Sequence, residues 1–355
     1  MKVLFVTHRY PPRTGGVETH VREIATRLAD RGHNVTAFSA DAGDDLSART
    51  SSKGVRIRRF RSLNPGESFY LAPQMAVAVR RTNADVVHAH NYHAFPLFFA
   101  AVGVTDERFV ATTHYHGKSA NGVRNTLLSG YRPFGRWAVR QADDVIAVSE
   151  WERTRVREDF GLEATVIPNG VDVDRFASAS REERKRPYLL CVGRLEEYKG
   201  VQHVIRTLAE LPEYSLLVAG SGPFREELER IAREIGVSDR VEFLGYVDEE
   251  RLPRLYAGAR VFVSMSSFEA YGMTVAEALA AGTPCVVRKA AALEDWTSHD
   301  GCVGVEDPDP VAVANCVRTA AERRVVSDDI PTWETVTDEV ADRYGVGNTP
   351  RERGA

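Results

Sequence analysis

Two carboxylates eight residues apart, Glu269 and Glu277, stand in the segment SSFEAYGMTVAEALAAGTPCVV with Gly272 between them. Gly272 permits a backbone turn and good helix formers begin near Thr274, so the first carboxylate belongs to a loop and the second to a helix. A helix start preceded by glycine offers free N–H groups and a positive dipole end, which suits a phosphate. Eight residues of helix rise about 12 Å, whereas the paired carboxyls of retaining glycosidases sit about 5 Å apart. The spacing therefore fits two hydroxyl-binding groups at the ends of one long ligand, with a ribose at one end, a hexose at the other and a diphosphate between.

Arg194 and Lys199, in GRLEEYKG, flank a strand-to-helix turn and are the natural pair for that diphosphate. A cation about 4 Å from a phosphate oxygen contributes roughly 4 kcal/mol at an effective dielectric near 20, against about 0.3 to 2 from a helix terminus. The competing reading pairs them with Glu196 and Glu197 on the surface. Gly15 and Gly16 follow a strand and precede a helix, where backbone can approach a ligand closely; G-x-G-x-x-G is not present, so a dinucleotide fingerprint is excluded. His114 ends the strand RFVATTH and His90 ends DVVHAH. His88, His90 and His93, like His114 and His116, invite a metal reading, but strand alternation is expected to send neighbours to opposite faces, and no metal site is expected.

These residues need elements to hold them. KVLFVTH, HNVTAFSA, ADVVHAH, RFVATTHYHG and ADDVIAVSE read as buried strands, GVRIRRFR as a half-exposed one, and Val17 to Asp30 as a helix. A second series follows, with strands at YLLCVGR, YSLLVAGSG, RVEFLGY, ARVFVSMS and TPCVVR and helices around Val201 to Leu211, Arg225 to Ile235, Glu250 to Tyr256 and Thr274 to Ala281. Such alternation predicts parallel sheets with helices on both faces. At 355 residues, two cores are the natural division. The boundaries are one Rossmann-like domain at 1–175, a linker at 176–186, a second Rossmann-like domain at 187–330, a helix at 331–345 and a tail at 346–355.

The composition, 43% hydrophobic and 27% charged, is that of a folded chain rather than a disordered or membrane one. The run Val3 to Val6 is too short for a signal peptide and Phe95 to Val104 is about half a membrane span, so a cytoplasmic protein is expected. Cys191, Cys285, Cys302 and Cys316 lack C-x-x-C spacing and read as buried free thiols. Residues 1–175 carry 24 Lys+Arg and 19 Asp+Glu, net +5, and the remainder 22 and 31, net −9. A basic first half suits an anionic acceptor or a membrane surface; arginines scattered on solvated helices give the same count.

In order and spacing these segments resemble retaining glycosyltransferase family 4 over roughly Met1 to Tyr344. PPRTGGVETHV is similar to the family's amino-terminal glycine loop, VIPNGVD to its pre-linker turn, VGRLEEYKG to its phosphate-binding segment, and AGSGP, FLGYV and GTPCVV to later strand ends. The resemblance implies the GT-B fold, two Rossmann-like domains facing each other across a cleft. It implies that Glu277 binds the ribose hydroxyls and Glu269 those of the donor sugar, that Arg194 and Lys199 grip the diphosphate, and that Gly272, Met273 and Thr274 share the donor site. The Gly15–Gly16 loop closes over donor phosphate and acceptor, His114 positions reactants, and His90 and Glu18 are acceptor-side candidates. The helix at Trp333 to Tyr344 crosses back to the first domain. Asp172 and Asp174 form the D-x-D by which another glycosyltransferase fold holds a metal, but after PNG they suit a tight turn.

The resemblance further implies that the first domain binds the acceptor, carbohydrate or lipid-linked, and the second a nucleotide-sugar co-substrate, with no cofactor; the basic first half adds the expectation of peripheral membrane contact through the first domain, and no nucleic acid is expected. A nucleotide-sugar epimerase, a phosphorylase or a non-catalytic sugar-nucleotide binder is the alternative, and a nicotinamide-dependent oxidoreductase lacks its glycine fingerprint. One segment departs from the pattern: after Arg288 the family's glycine pair is replaced by KAAALEDWTSHDG.

Overall fold

The computed structural model describes residues 1–43, 45–64, 69–117 and 122–345, with backbone alone from 122 to 129. The chain separates into two compact units, one formed by Met1–Gly170 together with the chain from Trp333, the other by Val171–Thr332.

The first unit is built on an eight-stranded sheet. In chain order its strands are β1 (Lys2–Thr7), β2 (Asn34–Ser39), β3 (Arg49–Ser52), β4 (Val55–Arg59), β5 (Val86–His90), β6 (Arg108–Thr112), β7 (Asp144–Ala147) and β8 (Thr165–Val166). They lie in the order β3-β4-β2-β1-β5-β6-β7-β8, and only the β3–β4 pair is antiparallel. The central strands are continuous apolar runs because helices cover both faces of a parallel sheet; β4, one strand from the edge, alternates buried and exposed residues. The helices are α1 (Gly16–Asp30), α2 (Gln74–Arg80), α3 (Phe95–Gly103), α4 (Gly122–Arg140) and α5 (Glu150–Phe160). The apolar run at Phe95 is α3, a nine-residue helix that is mostly buried, with Val102 exposed. Among the described residues, no helix is long and apolar enough to cross a membrane.

The second unit holds a six-stranded, wholly parallel sheet in the order β11-β10-β9-β12-β13-β14. Its elements run α6 (Val173–Ala177), β9 (Tyr188–Val192), α7 (Val201–Thr207), β10 (Ser215–Ala219), α8 (Arg225–Glu234), β11 (Val241–Gly245), α9 (Arg251–Gly258), β12 (Val261–Ser264), α10 (Met273–Ala280), β13 (Cys285–Arg288), β14 (Cys302–Val305) and α11 (Pro310–Ala321). All four cysteines are free, and all but the half-buried Cys316 are buried.

The stretch expected as a linker at 176–186 is not a free tether. Phe176 is buried, the Glu182 amide donates to the Arg254 carbonyl, and the Glu182 carboxylate accepts from Arg251 at 2.8 Å. These contacts anchor a charge-rich segment to α9, and the chain passes between units at 170–171 instead. The second passage, at 332–333, runs alongside: Val171 bridges Thr332 in parallel and donates to the Pro331 carbonyl. The last helix, α12 (Trp333–Arg343), then packs on α1. Arg31 pairs with Glu334 and, at 2.7 Å, with Asp338, and the Tyr344 hydroxyl lies 2.9 Å from His88 Nδ1.

Candidate functional site

In the second unit, β9 ends in a loop that carries Arg194 and then a single 3-10 turn, Glu197–Lys199. Gly200 closes that turn at φ 73°, in the left-handed region, with the Met265 carbonyl where a Cβ would stand; any other residue there would force the two loops apart. The loop after β12 is tied to this turn by Ser267, whose amide donates to the Tyr198 carbonyl at 2.9 Å. The consequence is a close cation–carboxylate contact, Lys199 Nζ to Glu269 Oε1 at 2.6 Å, with both side chains about one-fifth exposed. Burial works to lower the lysine pKa, but Glu269 and Tyr198 outweigh it and the net shift is upward, so Lys199 is protonated. Arg194 is mostly exposed, 3.9 Å from Glu196. Gly193, Arg194, Leu195, Lys199, Ser264 and Glu269 line one hollow.

Gly272, at φ 95°, starts α10, and no side chain caps the helix. The first-turn amides of Met273 and Thr274 therefore lack the usual side-chain partner, the arrangement that receives anions. Glu277 stands on the same helix, half-buried, with its carboxyl head turned to Tyr256, whose hydroxyl donates to Oε2 at 2.8 Å. Burial raises the Glu277 carboxyl to about 7, against the lowering pull of Tyr256 and Arg175. The departing segment after Arg288 forms two 3-10 turns behind this loop. The Ala292 amide donates to the Glu269 carbonyl, Trp296 Nε1 donates to the Tyr271 carbonyl at 2.6 Å, and the Trp296 indole stands where a Gly272 Cβ would reach. A tryptophan of the departing segment thus braces this loop.

In the first unit, Gly15 and Gly16 are exposed at the head of α1. Glu18 is spent locally: it is buried, 2.5 Å from Arg9 Nε and 3.4 Å from His8 Nε2. His114 is 6% exposed, holds φ at 45° and has no partner for Nε2. A non-glycine residue in that region is strained unless its surroundings fix it. Glu152 does so, accepting from the Thr113 hydroxyl and the Tyr115 amide on either side, and from the Val148 amide at 2.6 Å.

Strand alternation does not separate the histidines. Residues two apart share a face, and His88 and His90 lie 4.1 Å apart by ring centroids. His20 of α1, which the sequence reading passed over, joins His90 and His114, so that one nitrogen of each falls within 4.8 Å of the others. The three imidazoles are held neutral by burial, His20 down to about 4, and Asn169 Oδ1 sits 2.7 Å from His20 Nδ1. The helical phase Val17, His20, Val21, Ile24 was the signal that put His20 on the buried face. Asp172 caps α6 by accepting from the Arg175 amide, and Asp174 is exposed in its first turn.

Residues 14–175 match the family described as Glycosyltransferase Family 4, and residues 172–323 match Glycosyl transferases group 1. A glycogen synthase of Mycobacterium tuberculosis is 32% identical, covering 97% of this chain and 94% of the relative. A GDP-mannose-dependent alpha-(1-6)-phosphatidylinositol monomannoside mannosyltransferase of Mycolicibacterium smegmatis is 31% identical, covering 89% and 88%. By fold, the sucrose-phosphate synthase of Thermosynechococcus elongatus superposes with a TM-score of 0.82 at 20% identity, covering 97% of this chain and 98% of that one.

Proposed function

The chain belongs to the group 1 glycosyltransferases of the GT-B fold, and from that premise we propose a retaining, metal-independent enzyme that moves a hexosyl unit from a nucleotide-diphosphate sugar to a hydroxyl of a glycolipid, polysaccharide or glycan precursor. The observation that carries the reading is the 2.6 Å contact between Lys199 and Glu269 beside the uncapped start of α10, with Glu277 on that same helix. A diphosphate arriving there competes for Lys199, joins Arg194 and the Met273 and Thr274 amides, and releases Glu269 to accept from sugar hydroxyls. Glu277 accepts from the ribose. Gly15 and Gly16, and the neutral imidazole of His114, serve the acceptor and the donor phosphate.

The bond from C1 to the phosphate oxygen breaks while the acceptor oxygen bonds C1 on the same face, and the acceptor's proton passes to the departing phosphate. Arg194 and Lys199 stabilise the charge that develops on that leaving group. The capping role of Asp172 supports metal independence, because its carboxylate already serves α6. The acceptor is carbohydrate or lipid-linked, and the first unit makes the peripheral membrane contact.

Thermal-shift screening of UDP, GDP and ADP sugars identifies the donor, since a ligand of the folded state raises its melting temperature. With an α-linked donor, the product's anomeric proton resonance then reports the stereochemistry. An α product whose formation EDTA leaves unchanged is expected. A β product contradicts retention, and a rate that EDTA abolishes and a divalent ion restores contradicts metal independence.

A further inference from the structure

The helices α2, α3 and α4 pack side by side on one face of the first unit's sheet and contain no aspartate or glutamate. Four of the first unit's five large exposed hydrophobic residues, among those described, lie on them: Val77, Val102, Phe134 and Trp137, with Phe134 half exposed. The Phe134 and Trp137 rings each stand 5.6 Å from Phe98 of α3, so the aromatic cluster is supported from beneath. Beside it, Arg132, Arg136 and Arg140 follow one another at four-residue spacing and form an exposed row along α4. The row borders an open hollow of about 660 Å³. Its acid, Asp159, is engaged by Arg155 and by the Tyr115 hydroxyl, both at 2.8 Å, and more distantly by Arg132 at 3.8 Å, while Arg140 donates to the Phe160 carbonyl at 3.0 Å.

We infer that this face is a docking surface for an anionic lipid bilayer, with Phe134 and Trp137 entering the headgroup boundary and Arg132, Arg136 and Arg140 set against lipid phosphates. The chemistry is that of an interfacial amphipathic helix, in which aromatic side chains bury apolar area at the boundary and arginines add attraction to anionic headgroups. Charge complementarity selects this occupant over a second copy of the chain, since a two-fold contact through α4 would bring arginine row against arginine row. The hollow beside the row has the size and cationic wall to receive a headgroup. The inference rests on the reading of the first unit as the membrane-side unit and is independent of the transfer step.

The test is co-sedimentation of the full chain with vesicles of phosphatidylcholine alone and of phosphatidylcholine with phosphatidylglycerol. Binding is expected to the anionic vesicles, roughly tenfold weaker to the neutral ones, and falling as salt is raised. Arg132→Glu with Arg136→Glu, and separately Phe134→Ala with Trp137→Ala, should each lower binding about tenfold or more. The shift of their melting temperature with donor nucleotide should not change, because the donor hollow is built from the second unit alone. Equal binding to both vesicle types, or undiminished binding by both double variants, overturns the proposal. So does a dimer that either double variant dissolves, since the face is then covered by a second copy. A chain that turns over donor but ignores anionic vesicles refutes the surface alone; one that binds them but transfers no sugar refutes the transferase reading alone.

Discussion

Glu277 carries two opposed demands. Its carboxyl is raised from 4.5 to about 7 by burial, so folding favours the neutral form, whereas ribose hydroxyls bind best to the ionised one. A folded pKa above the unfolded value means that the side chain's favourable contribution is complete below 4.5 and is lost as pH rises through about 7. Glu277→Gln should therefore raise apo stability by about 1 to 3 kcal/mol at pH 8 and leave it unchanged at pH 4, while donor turnover falls on the order of a hundredfold. Urea denaturation at both pH values and initial rates check this. No gain at pH 8, or a wild-type rate, would contradict it. At this scale the candidate donor-site residues stand out because each announces itself locally: Gly272 before a helix, Arg194 and Lys199 around a turn, Glu269 and Glu277 on one ligand-length stretch. Tyr256 was not, because its contact with Glu277 joins helices 21 residues apart and leaves no local pattern.

Elements differ in how much of their position is written locally. The helix beginning at Thr274 was legible to within one residue, since Gly272 and a run of strong helix formers mark its start. The segment at 289–301 showed only that it lacked the expected glycines; that it braces the Glu269–Gly272 loop depends on an indole reaching a carbonyl 25 residues away. The loop bearing His114 depends likewise on α5. Ser149 caps that helix by accepting from the Glu152 amide at 3.0 Å, and Glu152 reaches back to the donors flanking His114. Removing the carboxyl leaves buried donors unpaired, each costing about 1 to 3 kcal/mol. Glu152→Ala should lose about 3 kcal/mol in urea denaturation at pH 6, below the value of about 7 to which burial raises its carboxyl. Its kcat should fall with His114 no longer held at φ 45°. A loss under about 0.5 kcal/mol with kcat intact would show that the loop holds itself.

For the whole molecule, alternation of strands and helices made two parallel α/β sheets legible, because fully buried strands must be continuous apolar runs. The passage points were less so. The linker was expected at 176–186, yet Glu182 of that stretch is anchored to α9, and the chain crosses earlier, next to its own return at 332. Electrostatic asymmetry was visible as a count, and the structure turns part of it into a patch by gathering acid-free helices on one face. The account depends on the second unit holding a nucleoside diphosphate through Lys199, Glu277 and the start of α10. Titration calorimetry of the full chain with UDP, GDP and ADP tests this most directly, alongside Lys199→Ala and Glu277→Ala. One nucleotide should bind, with affinity lowered about tenfold or more in each variant; binding of none of the three, or wild-type affinity in both variants, would contradict the account.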